Sequence, residues 1–120
     1  MKKDNVVKDK SYQFAIKSIR FYKFLVDKKK EFIISKQILR SGTATGALIE
    51  EANQAESKKD FIHKLSIAQK ESFETDYWLR LLRDSEYLTE AQANSLLTDC
   101  RELQQLLTTS IKTAKDNLKK

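Results

Sequence analysis

A chain of 120 residues with net charge +6, no proline and only two glycines has room for one buried core but not for two ordinary domains. Turns of β proteins lean on Gly, Pro and Asn-Gly pairs, and those signals are missing. Lys, Leu, Glu, Ala, Gln and Ser dominate instead, the composition of long helices, so the sequence reads as all-α, with residues 1–120 as a single domain.

The first predicted helix covers about 11–26. Tyr12, Ala15, Ile19, Tyr22 and Val26 fall on one stripe and Phe14, Phe21 and Leu25 on a second, a face wide enough to touch more than one neighbour. The charged run Asp27-Lys28-Lys29-Lys30-Glu31 is expected to end it. A second helix over 36–53 follows, with Ser35 as N-cap after the apolar pair Ile33-Ile34. Its seam of Ile38, Gly42, Thr45, Ile49 and Ala52 is small in the middle. Glycine in a helix costs about 1 kcal/mol against alanine, so Gly42 and Gly46 call for a compensation. Close approach of a neighbouring helix or aromatic ring supplies one, and a loop at Gly42 is the competing reading.

A third helix over 58–83 opens at Ser57-Lys58-Lys59-Asp60, a capping box with Asp in place of Glu. Its seam runs Phe61, Leu65, Ala68, Ser72, Thr75, Leu79 and Leu82. The fourth, over 90–118, opens at the capping box Thr89-Glu90-Ala91-Gln92 and carries Leu96, Cys100, Leu103, Leu107, Ile111, Ala114 and Leu118. Short connections between such helices force an antiparallel, up-down-up-down four-helix bundle.

Charge and chemistry point to binding rather than catalysis. Residues 1–31 hold ten Lys/Arg against four Asp/Glu, so the whole surplus sits at the N-terminal end and suggests an acidic partner, nucleic acid above all. A solvated lysine-rich face accounts for the same surplus with even weight. Lys17, Arg20, Lys23 and Lys28, with Lys29 and Lys30 beyond, form a stripe that would hold phosphates without reading sequence. His63 is the only histidine, so a di-iron bundle or a Cys/His zinc site lacks its ligands; no metal and no cofactor is expected. Cys100 lies on an apolar seam and reads as a small core residue. Glu50, Glu51, Glu71 and Glu74, interleaved with Arg40, Lys64 and Lys70, read as structural ion pairs. Tyr77 and Trp78 are adjacent, about 100° apart around a helix, so one faces the core and the other a groove, a partner or solvent. With no nucleophile–base pair, an enzyme is not expected. One cysteine, no signal-peptide run and no membrane-length stretch suit a soluble cytoplasmic protein.

The stretch from Leu39-Arg40-Ser41-Gly42 through Gly46-Ala47-Leu48-Ile49-Glu50-Glu51-Ala52 resembles the signature of the bacterial four helix bundle protein family. So does Asp60-Phe61-Ile62-His63-Lys64-Leu65 to Glu71, followed by Glu74-Thr75-Asp76-Tyr77-Trp78-Leu79. That family contains the proteins encoded in intervening sequences of 23S ribosomal RNA genes, and the sequence is also similar to the accessory variability determinant of diversity-generating retroelements. The resemblance implies a homopentameric barrel of four-helix protomers; read from the residues themselves, Arg40, Gly42, Gly46, Glu50, Tyr77 and Trp78 are expected in packing or subunit contacts. It implies, further, binding to RNA or DNA beside a partner such as a reverse transcriptase. The expectation is therefore a non-catalytic homo-oligomer that binds nucleic acid non-specifically, or else a purely structural scaffold with no nucleic-acid role.

Overall fold

The computed structural model describes residues 3–119; Met1, Lys2 and Lys120 lie outside the described residues. Four helices follow in order, α1 (Lys3–Lys29), α2 (Ile34–Asn53), α3 (Lys58–Asp84) and α4 (Glu90–Lys119), with no strand among the described residues. Each packs on its neighbour in sequence and α4 closes on α1, while the backbones of the diagonal pairs stay apart among the described residues. With only four or five residues between helices that stay in contact, the arrangement is an antiparallel ring around one core. No helix among the described residues is long and apolar enough to cross a membrane.

The ends of the helices follow local chemistry. Thr89 and Gln92 make a reciprocal capping box: Gln92 N–H donates to Thr89 Oγ1 at 3.1 Å and Thr89 N–H to Gln92 Oε1 at 3.0 Å. Ser57 Oγ accepts from Asp60 N–H at 3.1 Å. The start of α2 corrects the sequence reading, because Ser35 is not its cap. The Glu31 carboxylate accepts from the N–H groups of Ile33, Ile34 and Ser35 at 3.2, 3.0 and 2.6 Å. A carboxylate satisfies three orphan donors at the positive end of the helix, where a hydroxyl satisfies one. The freed Ser35 hydroxyl donates back to Glu31 O at 2.9 Å.

α1 also runs further than expected at both ends. Val7 is buried and anchors the polar first turns. The run Asp27-Lys28-Lys29 stays helical because cations suit the carbonyl end of a helix, and the chain leaves the helix only at Lys30, whose φ of 55° is left-handed. The core-facing stripe of α1 is the second of the two expected. Phe14 and Leu25 are buried, flanked by Ser11 and Ser18, whereas Tyr12 is 61% and Ile19 39% exposed. α4 is buried through Ile111, beyond which Leu118 is exposed because the helix outruns the core.

Small residues set how close the helices come. A Cβ on Gly42 would overlap Ser18 Oγ and lie 2.6 Å from Ser18 Cβ, and one on Gly46 would lie 3.1 Å from the Ser11 carbonyl oxygen. The helical glycines therefore serve close approach of α1. Between α2 and α3, the buried Ser41 hydroxyl meets Thr75 Oγ1 at 2.6 Å while Thr75 donates to Glu71 O at 3.0 Å. Cys100 is fully buried between α3 and α4, its Sγ donating to Ser72 O at 3.0 Å. Burial, with the Asp76 charge nearby, pushes its thiol up to about 12. Since the thiolate is the reactive form, Cys100 should resist Ellman's reagent in the native protein and react at once in denaturant; rapid native labelling would contradict this packing.

Candidate nucleic-acid interface

The basic side chains of α1 divide into two groups once the other helices are in place. Three lysines of the N-terminal part, of which only Lys17 belongs to the expected stripe, are paired. Lys8 faces Glu50 of α2 at 3.8 Å, Lys10 pairs with Glu102 of α4, and Lys17 Nζ lies 2.5 Å from Asp99 Oδ2 of α4. In the C-terminal part, Arg20, Lys23, Lys28 and Lys30 are exposed and make no ion pair among the described residues. Lys29 Nζ sits 5.8 Å from the centroid of the Phe24 ring. Lys17 thus stands apart from the set it was grouped with, because an interhelical bridge already holds it.

Charges in α2 and α3 are spent on each other. Arg40 Nη2 donates to Glu74 Oε1 at 2.5 Å and its Nη1 lies 3.1 Å from Glu71 Oε1. Trp78 Nε1 donates to the same Glu74 oxygen at 3.2 Å. The guanidinium, with help from the indole, holds the Glu74 carboxyl below the usual carboxylate range. Lys64 pairs with Glu51 at 3.2 Å. These pairs, with Lys8–Glu50, join helices within the chain. His63 is exposed on α3, and among the described residues no group of three or more His, Cys, Asp or Glu side chains is placed to hold a metal ion.

Trp78 is half-buried over Glu74, and Tyr77 is exposed with its ring edge-on to the indole at 5.1 Å. Tyr77 continues along α3 into Phe73 and Leu81, an outward apolar row at 53%, 49% and 36% exposure from Phe73 to Leu81. Helical spacing of three apolar residues outside the core seam is the signal for this row, although only Tyr77 was singled out by sequence.

Two features escaped the sequence reading. Asp76 is buried between α3 and α4, accepting from Arg80 Nε at 2.8 Å, Arg101 Nε at 3.1 Å and Gln104 Nε2 at 3.1 Å. Burial alone would raise its pKa, but the hydrogen bonds from Arg101, Arg80 and Gln104 outweigh that and hold the carboxyl below its ordinary value. The second is a groove of about 460 Å³ along the α1–α4 seam, lined by Lys17, Arg20, Phe21, Phe24, Gln92, Ser95 and Leu96. Contacts are sparsest at this seam, since paired side chains and phenylalanines bridge it where the other seams use Gly, Ser, Thr and Ala.

The comparisons with known proteins agree with this architecture. The sequence model of the family described as 23S rRNA-intervening sequence protein matches residues 3–109. A crystal structure of a protein of unknown function from the S23 ribosomal protein family of Bacteroides thetaiotaomicron is similar at 57% identity and a TM-score of 0.90, over 92% of this chain and 99% of that one. No curated protein matches.

Proposed function

We propose, from the premise that the chain belongs to the 23S rRNA-intervening sequence protein family, that it works without catalysis as a self-associating bundle holding RNA or DNA by the phosphates. The observation that carries this reading is the exit end of α1, where Arg20, Lys23, Lys28 and Lys30 project with no acidic partner among the described residues. Cations already paired gain little from a phosphate, whereas unpaired ones release its counterions. Phosphate contacts position a strand without reading it. The outward row Phe73, Tyr77 and Leu81 supports self-association, because apolar rows outside a core favour cover by another surface. The pentamer implied by the resemblance would set five basic ends on one particle. The single cysteine supports cytoplasmic action, and the family resemblance supports a reverse transcriptase as a further partner. The raised thiol pKa of Cys100 favours the non-catalytic reading.

Fluorescence anisotropy with labelled RNA and DNA across a salt series tests it. The slope of log K against log salt should be about −0.7 to −0.9 per phosphate contact. The triple reversal Arg20→Glu, Lys23→Glu and Lys28→Glu should weaken every sequence alike, while Lys112→Glu with Lys115→Glu on the far end of α4 should not. Light scattering should give a mass several-fold above 14.0 kDa. Absence of binding at low salt would leave the purely structural scaffold, and a monomer at micromolar concentration would remove self-association.

A further inference from the structure

The α1–α4 groove stands where the bundle is least closed, and its chemistry is mixed in a specific way. Its apolar wall consists of the half-buried rings of Phe21 and Phe24, whose centroids are 6.2 Å apart, and the buried Leu96. Arg20 lines it as an unpaired cation, and Lys29 lies against the Phe24 ring. Across from these, α4 supplies Gln92 and Ser95. Gln92 uses its Oε1 on the Thr89 N–H, which leaves its amide N–H groups open among the described hydrogen bonds. The Ser95 hydroxyl donates to Gln92 O at 2.7 Å and keeps its lone pairs. Within reach of one another are therefore aromatic faces, a neutral donor–acceptor edge and a free guanidinium, and the other cation of the lining, Lys17, is already bound to Asp99.

We propose that this groove takes an unpaired nucleobase, stacked on one of the Phe21 and Phe24 rings with the other, tilted by 57°, against its edge, and with the neighbouring phosphate on Arg20. The inference rests on the phosphate-binding reading above and adds to it a preference for single strands. A flat ring with hydrogen-bonding edges fits the apolar wall and the Gln92–Ser95 edge. The charge fits too, since the strand is an anion and the only uncompensated charge in the groove is positive. In a duplex the bases are stacked inward and cannot enter, whereas stacking on aromatic side chains tolerates any base of a single strand.

The test compares three ligands by anisotropy at fixed low salt: a mixed-sequence RNA strand, the same strand annealed to its complement, and a strand of equal length carrying abasic sites. The intact strand should bind roughly tenfold more tightly than the abasic one, the gain expected for a base on an aromatic platform. Ser95→Leu, at an exposed position, fills the groove without altering charge or adding an aromatic face and should erase the difference. Equal affinity for intact and abasic strands, or a Ser95→Leu protein that still discriminates, overturns the groove and leaves the phosphate reading in place. No binding of any of the three overturns both.

Discussion

Replacing Gly42 with leucine is expected to destabilise the bundle by about 3 kcal/mol, at the upper end of overpacking costs. The added side chain enters where α1 and α2 lie closest. Even a single methyl group would sit 2.6 Å from Ser18 Cβ, and a Cβ cannot rotate away, so the helices must part. Gly42→Ala isolates that step. Its gain in helix propensity, about 1 kcal/mol, is opposed by the clash, and the net effect should be a loss. Pairing Gly42→Ala with Ser18→Gly removes the obstacle and should return part of the stability, a coupling that a double-mutant cycle reads directly. Gly46→Ala is the milder control, since its Cβ would meet Ser11 O at 3.1 Å, a contact relieved by a few tenths of an ångström. Chemical denaturation of these variants, with Ser18→Gly alone to complete the cycle, measures all of this. Equal effects at the two glycines would mean that the approach of α1 is not centred on Ser18.

Asp76→Ala should cost about 3 kcal/mol. Removing one partner of a buried, hydrogen-bonded charge leaves the others unsatisfied, and here the buried Gln104 amide loses its 3.1 Å acceptor while Arg80 and Arg101 lose theirs. The two arginines are half-exposed and regain water, which keeps the cost below that of a fully buried pair. The same carboxylate gives a pH signature. Its folded-state pKa is lowered, so its contribution is fully present above the unfolded aspartate value of about 3.9 and is lost as pH falls through the lower folded value. Glu74, held low chiefly by Arg40, acts in the same direction. Stability measured from neutral pH downward should hold until about pH 4 and then decline, and Asp76→Asn should flatten part of that decline. An Asp76→Asn protein whose acid profile matches the parent would show that this carboxylate is not the source.

Sequence alone determined the number of helices, their order and most of their ends, because period-3.6 spacing and capping boxes are local signals. Thr89–Gln92 and Ser57–Asp60 are legible in four consecutive residues, and the seam of α2, from Ile38 to Ala52, lies in the core in its expected phase. Glu31 was not legible as the α2 cap, since its carboxylate reaches two to four residues ahead, and it is aimed there by a left-handed Lys30 that no residue type announces. Which stripe of α1 faces inward was likewise a tertiary decision. Ser11 and Ser18 look polar beside Tyr12 and Ile19, yet only a small side chain fits opposite Gly46 and Gly42. The candidate site divides in the same way. The sequence counts the cations of the first 31 residues, but only the packing of α4 and α2 decides that Lys8, Lys10 and Lys17 are neutralised and that Arg20, Lys23, Lys28 and Lys30 stay free. Net charge is a sum over residues, whereas a binding surface depends on which charges the fold has already paired.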